Sequence, residues 1–365
     1  MGTRGIPNNY GGFEQFSEYL ALGLQQRGFE VSVYNSHDHP YKETEWKGIK
    51  ILHHFDPEYL IGTAGQFIYD LNCILHSRRK KFDIILQLGY TSSSVWNFLF
   101  PKRSVIVTNM DGLEWKRTKY SAKTQRFLKY AEKLAVKRSD HLVSDSIGIK
   151  KYLLETYDAD STYIPYGADV FSNPDPAILS KFGLSANRYD MLVARLEPEN
   201  SIEMILDGFE SSGADRSFIV IANHKTKYGT FLREKYRNSG RIKFLGPVYD
   251  IMQLNNLRYH SNLYFHGHTV GGTNPSLLEA MASCALIAAN KNDFNAAILG
   301  DDAFYFSDSN EVLKLINSVT KDEMLQMKVR ANVSKIKDLY SWKAITDSYE
   351  KLFLEVTDTD KKKTS

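Results

Sequence analysis

Residues 265–290 read FHGHTVGGTNPSLLEAMASCALIAAN. An apolar run, a polar glycine turn, a helical pattern and a second apolar run predict strand, turn, helix and strand. Thr273 or Asn274 can cap the helix, and Pro275 suits its first turn. The N–H groups of Gly271, Gly272, Thr273 and the first helical turn then carry partial positive charge, a place for a phosphate or pyrophosphate. Glycine lets such a ligand approach the backbone closely. Glu279 lies one turn deeper, where its carboxylate can accept from a ribose diol or a sugar hydroxyl pair. A plain capped helix with a partly exposed glutamate would use the same residues.

Two other segments set polar groups beside glycines. One is GTRGIPNNYGG at 2–12, with Asn9, Tyr10, Gly11 and Gly12. The other is TNMDGLEWKR at 108–117, which follows the apolar run SVIVTN. In an open α/β sheet, functional residues collect just past the strand C-termini, which favours Asp111 and Glu114. Trp115 could equally pack, and Glu114 with Lys116 could be surface charges. Metal binding finds little support. DAD at 158–160 falls in a loop, DTD at 358–360 in the tail, and the ten histidines lack ligand spacing. HDH at 37–39 could face a ligand or be solvated.

These segments need strands and helices to hold them. Short β-rich runs (EVSVYN, IKILHHF, DIILQLG, SVIVTN, HLVSDS) alternate with amphipathic stretches such as Phe13 to Arg27 and Thr124 to Arg138. That alternation predicts an α/β fold with a parallel sheet covered by helices. STYIPYGAD closes the series and a Pro/Asn/Ser-rich segment follows. The pattern then restarts with YDMLVA, FIVIAN, IKFLG, LYFHGH, ALIAAN and AFYF. The expected organisation is a Rossmann-like domain over 1–168, a linker over 169–187 and a second Rossmann-like domain over 188–340. A helix over 341–357 and a disordered tail over 358–365 complete it. The two domains would face a central cleft. A doubly wound domain normally opens with a strand that feeds its glycine loop. Here only Met1 precedes that loop, which leads to the expectation that the natural chain begins earlier, with an apolar strand missing here.

Length and composition agree with two ordinary globular domains: 365 residues, 42% hydrophobic and 24% charged. Cys73 and Cys284 read as buried free thiols of a reducing compartment. No apolar run is long enough to span a membrane and no signal peptide is present, so the expected location is cytoplasmic. Net charge is +3, yet Lys116 to Lys151 holds eleven basic residues against three acidic ones, and RRKK at 78–81 lies in the same half. That run is either a solvated helix face or an attraction to anionic lipid headgroups. The chain shows no nucleic-acid-binding motif. GTRGIP lacks the G-x-G-x-x-G spacing of a dehydrogenase.

The segment from Arg241 to Leu299 resembles the donor half of the retaining GT-B glycosyltransferases of family 4, with their Glu-x7-Glu motif and following EAMA.G.P pattern. VARLEPENSIEMILDGF looks like their GRL...KG segment, and YIPYGAD like their IPNGVD junction. GTRGIPNNYGGFEQFSEYLA and TNMDGLEWKR resemble one branch, the bacterial rhamnosyltransferases of cell-wall and capsular polysaccharide synthesis. The resemblance covers nearly the whole chain.

The resemblance implies residue roles. Glu279 would bind the nucleotide ribose and Arg195 would neutralise the donor diphosphate. Gly11 and Gly12 would approach the diphosphate, and Asp111 stands where many members carry a histidine facing the reacting sugar. Asn223, Lys225, Gly271, Gly272, Thr273 and Asn274 complete the donor side. Asn9, Tyr10, Asp111 and Glu114 would meet the acceptor. Two positions depart from the pattern. The first Glu of Glu-x7-Glu falls on Gly271, and the lysine that partners the arginine falls on Asn200. Gly271 and Gly272 would offer N–H groups instead of a carboxylate, which suits a 6-deoxy sugar, and Lys225 or Lys227 could supply the missing charge. An inactive homologue is the other explanation. The implied reaction is same-face substitution at an anomeric carbon, with no metal or other cofactor and with domain closure about 169–187. The implied donor is dTDP-L-rhamnose, and the implied acceptor is a lipid-linked saccharide at the inner membrane face. Rivals are a UDP- or GDP-sugar donor, a GT-B UDP-sugar epimerase and a non-catalytic partner subunit.

Overall fold

The computed structural model describes residues 1–9, 11–117, 120–223, 226–269, 272–321 and 326–364. The chain divides into two compact units, Met1–Gly167 with Trp342–Ser365, and Ala168–Ser341.

In the first unit the strands fall into two sheets. Strands β1 (Ser32–Ser36), β2 (Glu45–Trp46) and β3 (Ile49–His54) form one, in the order β1-β3-β2. β1 and β3 are parallel, with Ser32 opposite Lys50, and the short β2 is antiparallel to β3. Strands β4 (Ile84–Leu88), β5 (Val105–Asn109), β6 (His141–Ser144) and β7 (Thr162–Tyr163) form a second, wholly parallel sheet in sequence order. The first residues hydrogen-bond to both: Leu88 N donates to Met1 O and Ser36 N to Arg4 O, each at 2.9 Å. The apolar runs became strands because both faces are covered. Val107 and Val143 are fully buried, as expected of parallel sheets under helices.

The last helix, Trp342–Thr364, belongs to this unit. Trp342 stacks on Tyr19 at 4.5 Å, and Tyr349 meets Phe16 edge-on at 5.5 Å. The helix continues through residues 358–364, where the sequence suggested a disordered tail. No glycine or proline interrupts 343–364, so nothing local stops it.

The second unit holds a six-stranded parallel sheet of β8 (Tyr189–Val193), β9 (Ser217–Ile221), β10 (Ile242–Gly246), β11 (Tyr264–His266), β12 (Ile287–Asn290) and β13 (Phe304–Phe306). Their order is β10-β9-β8-β11-β12-β13. Leu206, Phe209, Phe218, Phe265 and Phe306 are among the residues that fill its core. Each such buried side chain contributes roughly 1.5–3 kcal/mol. The chain winds outward from β8 to β10, returns to β11 beside β8, and winds the other way. The C-terminal ends of β8 and β11 are therefore the topological switch point.

Residues 169–187 pack onto this second unit. Phe171 N donates to Ala282 O at 2.9 Å, Asp175 caps a 3-10 helix over Pro176–Phe182, and Leu179 is buried. The apolar side chains within this polar segment account for the packing. Among the described residues no helix is long and apolar enough to cross a membrane.

Candidate active site

In the second unit the candidate donor residues gather at the switch point. Helix Pro275–Ala282 begins there with Asn274 as its cap. Asn274 Oδ1 accepts from Ser276 N at 2.9 Å, and Pro275 takes the first position. The cap consumes Asn274 Oδ1. Thr273 is buried, Gly272 is half-buried, and Gly271 lies outside the described residues. Ser276 Oγ donates to Val193 O at 3.2 Å, which ties this helix start to the end of β8.

Glu279 follows one turn later and meets a residue that sequence reasoning missed. Arg258, fully buried on helix Ile251–Tyr259, donates from Nη2 to Glu279 Oε2 at 2.6 Å and from Nη1 to Asn255 Oδ1 at 3.1 Å. A guanidinium buried this way needs a carboxylate, because an unpaired buried charge is costly. A signal was present: Leu254, Leu257 and Arg258 share one helical face, and the two leucines are buried.

His266 ends β11. It is buried, neither ring nitrogen has a hydrogen-bond partner among the described residues, and it stacks on His268 at 4.4 Å. Burial first, then His268 and Arg258, push its pKa well below the usual histidine value, so it is neutral at pH 7. Gly267 follows because no side chain fits: a Cβ there would lie 2.0 Å from Asn200 O.

Arg195 is exposed two residues past β8. Its carbonyl accepts from Glu197 N at 2.8 Å and from Asn200 Nδ2 at 2.7 Å. Asn200 is buried, so its amide folds the arginine's turn and offers nothing to a ligand. Thr269 donates from N and Oγ1 to Glu199 O, pinning the β11 loop to the β8 loop. Asn223 and Lys227 are exposed just past β9, whose turn is tied in by Thr226 Oγ1 donating to Leu196 O at 3.2 Å. Lys225 lies outside the described residues. One sheet edge thus carries Arg195, Asn223, Lys227, Gly272, Thr273, Asn274 and Glu279.

In the first unit the glycine loop is held by helix Gly12–Gln25. Glu14 Oε1, buried, accepts from Arg4 N at 2.9 Å, and Glu18 Oε2 accepts from Asn8 N at 2.6 Å. Ile6 exchanges hydrogen bonds with the Asn35 side chain. Gly5 has φ +123°, and a Cβ there would strike Asn35 at 2.3 Å. Gly11 is the helix's extended N-cap and Gly12 its first residue. Asn9 is exposed, and Tyr10 lies outside the described residues. The HDH histidines are structural. His39 is buried and its Nε2 meets Pro7 O at 3.1 Å, while His37 Nδ1 accepts from Asp56 N at 3.0 Å.

Asp111 is half-buried two residues past β5. Glu114 is engaged by Arg117 at 2.6 Å. Trp115 does more than pack: its Nε1 donates to Glu132 Oε2 at 3.1 Å. Glu132 is buried and also accepts from Tyr152 and Tyr157 at 2.6 Å, Lys129 at 2.9 Å and Tyr90 at 3.4 Å. Tyr90 OH also reaches Gly112 O at 3.4 Å. Lys129 of the basic run turns inward, 4.4 Å from the Trp115 ring centre. Arg117 is likewise paired, whereas Lys123, Arg126, Lys133, Lys137 and Arg138 remain exposed. Among the described residues no group of three or more His, Cys, Asp or Glu could hold a metal ion.

A family model described as a domain of unknown function, DUF1972, matches residues 1–169. No curated protein matches the chain. Among solved structures, it is similar to the sucrose-phosphate synthase of Thermosynechococcus elongatus at 15% identity and TM-score 0.79, over 96% of this chain and 94% of that one. It is similar to Anabaena HepE, crystallised with UDP and glucose, at 17% identity and TM-score 0.77, over 96% and 98%. A glycosyltransferase of Rickettsia africae follows the same course at 13% identity and TM-score 0.70, over 96% and 97%. At these identities the likeness establishes the fold, an α/β architecture with parallel sheets shared with the GT-B glycosyltransferase structures.

Proposed function

We propose that this chain is a retaining, metal-independent glycosyltransferase of the family 4 rhamnosyltransferase branch. It transfers L-rhamnose from dTDP-L-rhamnose to a lipid-linked saccharide at the cytoplasmic membrane face, in cell-surface polysaccharide synthesis. The observation that carries the reading is the set of groups at the switch point of the second unit. An exposed guanidinium (Arg195), a capped helix start behind two glycines, and a carboxylate held by a buried arginine match what a nucleoside diphosphate presents. Arg195 takes the diphosphate with Asn223, Lys225 and the amides of 271–274, and Glu279 takes the ribose. Gly11 and Gly12, in the first unit, take the donor-side role that the resemblance gives them. Asp111, Asn9 and Tyr10 orient the acceptor. Glu114, already engaged by Arg117, shapes that loop.

In the reaction the bond from the anomeric carbon to the phosphate oxygen breaks and the acceptor hydroxyl oxygen bonds to the same face. The departing phosphate takes the hydroxyl proton. No side-chain nucleophile is needed; catalysis is orientation plus stabilisation of the leaving diphosphate. The exposed basic residues of helix Ala122–Arg138 would draw the enzyme to anionic lipid headgroups.

A second donor reading, a UDP-sugar, is favoured by one observation: HepE, of the same fold, was crystallised with UDP and glucose and with UDP-glucose. A donor panel decides. Nucleoside diphosphate release is followed with EDTA present for dTDP-rhamnose, UDP-glucose, UDP-galactose, UDP-GlcNAc and GDP-mannose, each with a lipid-diphosphate-sugar acceptor. Acceptor-dependent release from dTDP-rhamnose, lost in Arg195→Ala and Glu279→Ala, is the expected result. Release from another donor replaces the rhamnose assignment. No turnover with nucleotide binding intact points to a partner subunit.

A further inference from the structure

The second unit has a cavity of about 480 Å³ at the edge of its sheet opposite the candidate donor residues. Asn187, just before β8, and Cys284, just before β12, line it. The candidate donor residues instead follow strand ends. Helix Gln326–Lys335 and the turn Ile336–Tyr340 form its other side.

Its charge is one-sided. Lys321, Arg330 and Lys337 line it, with His260, and among the described residues no carboxylate does. None of the three cations makes an ion pair among the described residues, and His260 Nε2 is buried there without a hydrogen-bond partner. Lys321 is the informative member. Its Nζ donates to Tyr259 O at 2.5 Å, at a helix C-terminus, and lies 5.1 Å from the Tyr259 ring centre. Burial holds its pKa down at about 8. An ammonium drawn out of water whose neighbours, among the described residues, are a carbonyl, a ring face and the Cys284 thiol is poorly compensated. An anion in the cavity would correct that. A phosphoryl group suits it best, because its oxygens can accept from two ammonium groups and from the fork of Arg330 together. The volume is that of a small-molecule site.

We propose that this cavity binds a phosphate-bearing small anion, separately from the donor residues and on the other edge of the same sheet. The group can come from a soluble phosphate or from a lipid headgroup, and the test separates the two.

Inorganic pyrophosphate is titrated calorimetrically into the full chain at low ionic strength and pH 7. Arg330→Gln with Lys337→Gln, both exposed positions, should weaken one pyrophosphate site at least tenfold and leave dTDP binding unchanged. Lys321→Met should abolish that site while thermal stability holds or rises, because the substitution removes a poorly compensated charge. If Lys321 served only to cap the helix end, the same change would lower stability and leave pyrophosphate binding intact. Sedimentation with phosphatidylglycerol vesicles gives the second arm. Vesicle binding that falls in the double variant, without a pyrophosphate site, assigns the headgroup as the source. If the double variant matches the parent in both arms, the proposal is overturned.

Discussion

Nη2 of the fully buried Arg258 lies 2.6 Å from Oε2 of Glu279, whose side chain keeps 17% of its surface. The pair joins two helices of the second unit, and its carboxylate is the one assigned to the nucleotide ribose. On the proposed reading Arg258 acts on a ligand only through Glu279, as a positioning residue.

Arg258→Met should break this pair and leave Glu279 half-buried without its cation. Breaking a buried pair costs about 3–5 kcal/mol, and the partial exposure of Glu279 puts the expected loss at the lower end. Arg258→Met with Glu279→Met should recover much of that stability yet still fail to bind nucleotide. Thermal unfolding beside dTDP titration separates the two effects. A double-variant loss equal to the sum of the Arg258→Met and Glu279→Met losses would show that the pair is not coupled.

Glu132→Gln should disturb the loop 111–116 without touching the donor residues. The amide keeps the shape but presents an N–H₂ where tyrosine, tryptophan or lysine donors now point. The expected cost is about 3 kcal/mol, since Lys129 loses its charge partner. The acceptor KM should rise while dTDP affinity stays the same, and Trp115 emission should shift to the red. A purely structural role would lower thermal stability and leave both kinetic constants of the surviving protein unchanged.

The two charged residues at these centres were the least legible in the sequence. The cap at Asn274-Pro275 could be read because its chemistry is local, and the strands because their apolar runs are short and bounded. Glu132 stands as one acid within a basic stretch, although Leu128, Ala131 and Ala135 mark its face as buried. Its partners Tyr90, Trp115, Tyr152 and Tyr157 come from other parts of the chain and meet only through the topology. Asn200 looked like a lost lysine, because the turn that uses its amide forms only when the chain folds.

Arg195→Ala should leave thermal stability unchanged, because the side chain is exposed. If it stabilises the departing diphosphate, kcat should fall about 10²–10³-fold, the usual loss of one such donor. Arg195→Lys should recover part of it. Steady-state kinetics with saturating acceptor give the answer, and an unchanged kcat would remove Arg195 from the reaction.

His266 sets a pH dependence. Its folded pKa lies below the unfolded value of about 6.5, so the unfolded chain binds the extra proton first as pH falls. Its contribution is fully present above about pH 6.5 and is lost progressively below it, at most about 1.4 kcal/mol per pH unit. His266→Phe should flatten the fall in melting temperature between pH 7 and pH 5. An unchanged slope would place the acid sensitivity elsewhere.

Asn200→Lys restores the residue type that the family pattern carries at this position, and it should fail to restore any function. Asn200 is buried and its Nδ2 donates to Arg195 O, so the turn that presents Arg195 depends on this amide. A lysine stem cannot make that bond in the same place, and its ammonium would have to leave the interior by moving the turn. The expected outcome is a loss of about 1–3 kcal/mol, with kcat lowered because Arg195 is displaced. Adding Lys225→Ala tests the alternative source of charge. If Lys225 supplies what the pattern's lysine does elsewhere, Lys225→Ala alone lowers kcat with stability unchanged, and Asn200→Lys does not rescue it. A rescue would mean that position 200 can reach the diphosphate after all, and that its asparagine is a substitution the turn merely tolerates.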